Sequence, residues 1–260
     1  NEQIGCTACI DVCSARAIRS DATLKGKAAN APPRNRATPI TPVAGGQGGG
    51  IAVDPYLCVG CGACTTVCPS GALAYATPGT VDQGKLLRTL LSTYARAGGQ
   101  NAALLIHSQQ AGARVIDELG RAARTASRSD KALHGVPARV LPLAVWHTAS
   151  IGIDLWLAAI ALGASDVWVL LTDEEAPEYR VALGEQMALA QAVLTGLGYA
   201  GTHLRLIEAK DARDLVSIAD TALTTWGLLV TTVLAFIVGF RLNAGVAEVA
   251  LAVVVLLAAA

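Results

Sequence analysis

The chain has 260 residues, of which 53% are hydrophobic and only 15% charged, so it either buries a large apolar surface or lays part of its length in a membrane. Twenty basic residues balance twenty acidic ones. No basic face stands out, which sets nucleic-acid binding aside.

Residues 1–19 hold three cysteines, Cys6, Cys9 and Cys13. They lack the apolar core of a secretory signal, so the cysteines are expected in a reducing, cytoplasm-facing compartment. Residues 20–50 are rich in Pro, Gly and Asn and read as a loop, with the Gly45–Gly50 run as its flexible end. Residues 51–80 hold the other four cysteines, Cys58, Cys61, Cys64 and Cys68. An odd count crowded into two short runs excludes a disulfide framework and gathers thiolates as metal ligation requires.

From residue 81 to 210 the pattern becomes regular. Leu87, Leu90, Leu91 and Tyr94 share one helical face, stopped by Gly98-Gly99. Ala102–His107 has the length of a strand, and Gln109–Arg124 is helical, with Val115, Ile116, Leu119 and Ala123 on one side. A strand over Val140–Trp146, a helix over Ile151–Leu162 and a strand over Asp166–Leu171 follow. Pro177 stands at the start of the next helix, where its missing N–H costs nothing, and Tyr179, Leu183, Met187, Ala190 and Leu194 form its stripe. His203–Ile207 completes a series of four strands. Apolar runs alternating with amphipathic helices predict an α/β domain with a parallel sheet covered on both faces.

The tail, residues 216–260, reads as a hydrophobic helical hairpin and membrane anchor. Leu223–Phe240 is an 18-residue stretch without a charge, bounded by Asp220 and Arg241, long enough to span a bilayer. Val246–Ala260 is apolar apart from Glu248. By the positive-inside tendency Lys210, Arg213 and the N-terminal body lie on the cytoplasmic side, and Arg241 in the outer loop. A buried hairpin is the other reading of this segment.

Cys58, Cys61, Cys64, Cys68 and Pro69 fit C-x2-C-x2-C-x3-C-P without exception. The short spacers curl the backbone so that thiolates converge and amide N–H groups point at sulfur, while Gly60 and Gly62 let the chain pass close. This is the ligand run of an iron–sulfur cluster, and a zinc ribbon would instead use two separated C-x2-C pairs. The first run repeats the last three cysteines of that pattern, with Gln3 where the first would stand and Ser14 in place of the proline.

On these motifs residues 1–76 resemble the bacterial dicluster ferredoxins, with an enlarged loop between the two halves. The resemblance implies an α+β fold, two [4Fe-4S] clusters and crossed ligation. One cluster would be held by Cys58, Cys61, Cys64 and Cys13, and the other by Cys6, Cys9 and Cys68, with its fourth ligand missing at Gln3. Three readings of that gap stay open: a chain start that lacks the family's cysteine, a [3Fe-4S] cluster, or a four-iron cluster with an open or non-cysteine ligand. Residues 146–208 resemble the delta-subunit domain of methyl-viologen-reducing hydrogenases, in the order of Leu162-Gly163-Ala164, the strand Asp166–Leu171, Tyr179-Arg180 and Leu197-Gly198. That family's domain carries cysteines and this stretch has none, so no cluster is expected here and the domain reads as a docking surface for a redox partner.

No G-x-G-x-x-G follows a predicted strand and no P-loop occurs, so a nucleotide cofactor is unsupported. His107, His147 and Asp173-Glu174-Glu175 fall at predicted carboxyl ends of strands, where ligands bind in open sheets. The plainer reading makes Asp173 the cap of the following helix, Glu174 and Glu175 favourable to its dipole, and the histidines ordinary loop residues. His134 and His203 have no metal-spaced partner.

Together these features predict an electron-relay subunit: a ferredoxin segment (1–80), an α/β domain (81–210) and an anchor, on the cytoplasmic face of the inner membrane. It would pass single electrons between a dehydrogenase- or hydrogenase-like donor and another acceptor. A reductase acting at an open cluster iron or in the sheet crevice, and an accessory protein for maturation of a redox enzyme, are the alternatives.

Overall fold

The computed structural model describes residues 6–20, 40–42, 51–125, 135–212 and 214–215. The expected hairpin of residues 216–260 and Gln3 lie outside them. Among the described residues no helix is long and apolar enough to cross a membrane.

The cysteine-bearing part is built twice from the same plan. Each cysteine run winds into one helical turn, α1 (Ala8–Asp11) and α2 (Ala63–Thr66), and each turn is followed by a short strand. Strand β1 (Ile18–Ser20) pairs antiparallel with β3 (Ile51–Val53), and β2 (Ile40–Pro42) pairs antiparallel with β4 (Leu73–Tyr75). Helix α2 starts at Gly62, whose φ of +88° favours a residue without Cβ.

The rest is an α/β fold. Its elements are α3 (Thr80–Arg96), β5 (Ala103–Ser108), α4 (Ala111–Thr125), β6 (Val140–Val145), α5 (Ile153–Ala161), β7 (Asp166–Leu171), α6 (Pro177–Gly196) and β8 (Leu204–Glu208). Helix α3 ends where expected, with Gly98 at a φ of +86° and the Gly99 amide closing back on the Tyr94 carbonyl. Pro177 opens α6 as its sequence position predicts.

The four strands form one parallel sheet in the order β6-β5-β7-β8. Strand alternation divides the core between the two faces. Leu104 and Ile106 of β5 and Val167, Val169 and Leu171 of β7 join the stripes of α3, α5 and α6 on one side. Ala103, Leu105, Trp168 and Leu170 meet Val115 and Leu119 of α4 on the other. Crossovers that step in opposite directions along the sheet must lie on opposite faces to stay right-handed, which puts α4 alone on its side.

The two parts share one core. Val12, Ile18, Ala63, Cys64 and Leu73 of the cysteine-bearing part pack in the same buried cluster as Leu87, Leu91, Leu155 and Trp156. A one-turn 3-10 helix at Thr148–Ser150 sits against α2 and forms the seam. Burial of a branched side chain such as Val12, Ile18 or Leu73 stabilises by roughly 1.5–3 kcal/mol, so the cluster loops are held by the sheet domain as well as by their own short strands.

Candidate functional site

Helices α1 and α2 pack against each other, and that contact carries Cys13 out of its own run. Cys13 lines one cavity together with Cys58, Cys61 and Cys64, closed by Ala17, Ile18 and Ala63. Burial raises the Cys9 thiol, and the nearby Cys68 and Cys6 raise it further. The seven thiols thus fall into two neighbouring groups, each combining members of both runs. Among the described residues no three His, Cys, Asp or Glu groups are gathered tightly enough for a single metal ion.

The electrostatics of the two groups differ. Burial pushes the Cys64 thiol up to about 12, with the nearby Cys61, Cys13 and Cys58 adding to the effect. Burial likewise raises Cys61, and Cys13 and Cys58 raise it further. Four thiolates in so small and dry a space repel one another unless iron compensates their charge. At Cys68 burial also acts upward, but the Ser70 hydroxyl and the amides of Leu73, Ser70 and Ala72 outweigh it and hold the thiol below its ordinary range. Such N–H donors at sulfur also tune a cluster's potential. The Ala17 amide donates to Cys13 Sγ at 3.3 Å. The buried Tyr75 hydroxyl donates to the Gly60 carbonyl at 2.7 Å, which pins the second loop.

Residues 4–72 match the protein family described as the 4Fe-4S dicluster domain. This segment is a ferredoxin-type dicluster domain. The match spans about a quarter of the 260-residue chain. It supports two [4Fe-4S] clusters and an iron–sulfur electron-transfer role. No curated protein matches the chain.

The carboxyl edge of the sheet lies beside this domain. The strand order puts the switch point between β5 and β7, where open α/β sheets receive ligands. Here the chain fills the place itself. Glu174 accepts from the Ser108 hydroxyl at 2.5 Å and from the Ala111 amide, at the start of α4, at 3.0 Å. A helix N-terminus that would receive a phosphate is thereby taken by a carboxylate. Glu175, 3% exposed, accepts from the Thr148 hydroxyl at 2.6 Å, from the Thr172 amide at 2.6 Å and from the Thr172 hydroxyl at 3.1 Å. It ties the loop after β7 to the seam.

These contacts correct the expectations for the strand ends. Asp173 does not cap α6, whose N-cap is Ala176 with no side-chain bond. Glu174 and Glu175 serve α4 and the seam instead, because the loop folds back over the sheet edge. His107 is not in a loop: it is buried inside β5, and its Nδ1 lies 2.9 Å from the Ser108 carbonyl. His147 accepts from the Ala149 amide at 3.1 Å, capping the 3-10 turn, and stacks edge-on against Tyr179.

Two cavities open between the dicluster domain and this sheet edge. One of about 240 Å³ is bounded by Cys61, Ala63, Trp146, His147, Glu174 and Tyr179. The other, of about 490 Å³, is bounded by Cys58, Tyr75, Gln83, Leu86, Leu143 and Trp146, among others. His147 and Glu174, marked in the sequence by their place at strand ends, border the smaller cavity, whereas the larger one had no such mark, since its walls come from segments far apart in the chain.

Proposed function

We propose that the protein is an electron-relay subunit that carries single electrons through two clusters, one bound by Cys58, Cys61, Cys64 and Cys13 and the other by Cys6, Cys9 and Cys68. The observation that carries this reading is the common cavity of Cys13 with Cys58, Cys61 and Cys64. It supports crossed ligation, in which the fourth cysteine of one run serves the other cluster. Neighbouring clusters with thiol groups this close suit electron transfer from one to the next. The relay would run between a cytoplasmic dehydrogenase- or hydrogenase-like donor and another acceptor. The α/β part would hold the dicluster domain and present a docking face, as its resemblance to the hydrogenase delta subunit implies. Residues 216–260 would anchor the protein to the cytoplasmic face of the inner membrane.

The test is iron and sulfide analysis with EPR of the anaerobically purified full chain, wild type and Cys13→Ser. Two interacting reduced four-iron centres, or one such centre beside an oxidised three-iron signal, are expected in the wild type. Cys13→Ser should perturb the cluster of the Cys58 run and spare its neighbour. A zinc-loaded, EPR-silent product would overturn the relay, and loss of the signal of the Cys6/Cys9/Cys68 cluster alone in Cys13→Ser would overturn the crossed assignment.

A further inference from the structure

The larger cavity has a composition unlike that of a docking surface or a nucleotide site. Its volume, about 490 Å³, falls within the range of about 300–1,000 Å³ usual for small-molecule pockets. Its walls are mostly aliphatic and aromatic: Leu86 and Leu87 of α3, Leu143 and Val145 of β6, Leu155 of α5, and Trp146. Among the described residues no charged side chain and no histidine lines it. A ligand that carries phosphate or carboxylate would find no cation there, and the nearby helix N-terminus of α4 already holds Glu174. The ligand chemistry is therefore neutral and largely apolar.

Position supplies the second argument. Cys58, Val59 and Gly60 line both this cavity and the cavity of the four thiols. A molecule seated in the larger one lies against the cluster loop at Cys58, Val59 and Gly60. Val59, Leu86 and Trp146 keep 64%, 53% and 49% of their surface exposed at its rim, an apolar mouth that a neutral ring enters without displacing charge. Gln83 and Gln109 are among its lining residues; Gln83 Nε2 donates one hydrogen to the Pro78 carbonyl at 3.3 Å, and the second hydrogen of a side-chain amide is a donor of the kind a ring carbonyl takes.

We propose that this cavity binds an uncharged, planar, redox-active ring of the quinone class, which serves as the electron acceptor of the relay. The proposal rests on the relay reading above and names its acceptor. Reduction of the quinone to the quinol takes two electrons and two protons. The electrons arrive one at a time from the reduced clusters, each cluster being oxidised by one electron as it gives one. The donor of the relay re-reduces the clusters, and the two protons come from solvent at the open mouth.

The experiment uses the anaerobically purified, cluster-loaded full chain and duroquinone, whose four methyl groups prevent addition of a thiol to the ring. Binding is measured by calorimetry on the oxidised protein, and recovery of cluster absorbance is followed after mixing the reduced protein with duroquinone. Saturable binding by the wild type is expected. Leu86→Arg, which puts a cation and a long stem at the rim, should weaken binding at least ten-fold and slow the reoxidation. Leu86→Trp, which fills the cavity without charge, should weaken it as well. Leu189→Arg on the exposed outer face of α6 should change neither. Iron and sulfide content, measured on every sample, separates a lost cluster from a lost ligand. Absence of saturable binding, equal binding by both Leu86 variants and the wild type, or displacement of duroquinone by FMN overturns the quinone assignment even where the EPR spectra uphold the relay. A failed iron and EPR analysis sinks the relay whatever the calorimetry shows.

Discussion

Gly62 is the position at which the cluster loop, its backbone conformation and the sheet domain meet. A Cβ built there would lie 2.7 Å from the Ser150 Cα, 3.0 Å from the Ser150 Cβ and 3.1 Å from Tyr75 Cδ2. The first of these is backbone in the seam and cannot swing aside. Gly62→Ala therefore carries two costs. A left-handed conformation costs a residue with Cβ about 1–2 kcal/mol, and overpacking typically adds about 1–3 kcal/mol, for a total of roughly 2–5 kcal/mol. Gly71 supplies the control: its φ is +63°, yet nothing lies within 4 Å of its added Cβ, so Gly71→Ala pays only the backbone part. The difference between the two variants isolates the packing of the dicluster domain on the sheet domain. Cluster loss makes equilibrium unfolding irreversible, so the suitable assay is the rate at which cluster absorbance bleaches in fixed urea under argon. Where bleaching follows opening of the seam, about 1–3 kcal/mol corresponds to roughly five-fold to more than a hundred-fold faster bleaching of Gly62→Ala than of Gly71→Ala. Equal rates for the two variants would refute the claim that the sheet domain holds the cluster loop.

Glu175→Ala removes the acceptor shared by the Thr148 hydroxyl and the Thr172 amide, in residues only 1% and 3% exposed. The loss should be about 2–5 kcal/mol, since hydrogen bonds to a charged group are worth about 1.5–3 kcal/mol each; a bleaching rate in fixed urea close to that of Glu174→Ala, whose acceptor is half-buried, would count against it. Gly112→Ala would set a Cβ 2.9 Å from the His107 Cβ and 3.2 Å from Ser108 Oγ, lifting α4 from β5 at about 1–3 kcal/mol; an unchanged melting temperature would disprove the tight contact. Burial holds the His107 imidazole below its ordinary pKa, against the opposing effects of the Ser108 carbonyl and Asp117. The unfolded chain then takes up a proton near pH 6.5 that the folded chain refuses, so stability falls as pH drops from about 6.5 toward the lower folded value. His107→Asn, which keeps an amide nitrogen at the place of Nδ1 but does not titrate, should flatten that decline between pH 7.5 and 6; an identical decline in variant and wild type would place the acid sensitivity elsewhere.

The sheet domain was largely legible because its signals are local. The stripes of α3 and α6, the Gly98-Gly99 stop and the Pro177 start depend on neighbours within a turn or two, and each element stands within a few residues of its expected place. The strand order was not legible, since nothing in β5 or β6 states which edge the next strand will join. The roles of Glu174, Glu175 and His107 were misread for the same reason: a polar residue between strand and helix suits a cap equally well, and only the folded loop decides what its side chain reaches.

By itself the sequence determined the metal chemistry. Two runs of cysteines at x2 spacing bring thiolates together over a few residues, a matter of short-range backbone geometry that tolerates little else. The tertiary structure alone decided that the dicluster domain and the sheet domain have one core, and that a cavity lined by no charged side chain among the described residues lies beside Cys58. Those features join residues from Val12 to Leu155, and contacts across such distances in the chain are made by packing, which leaves no periodic trace along it.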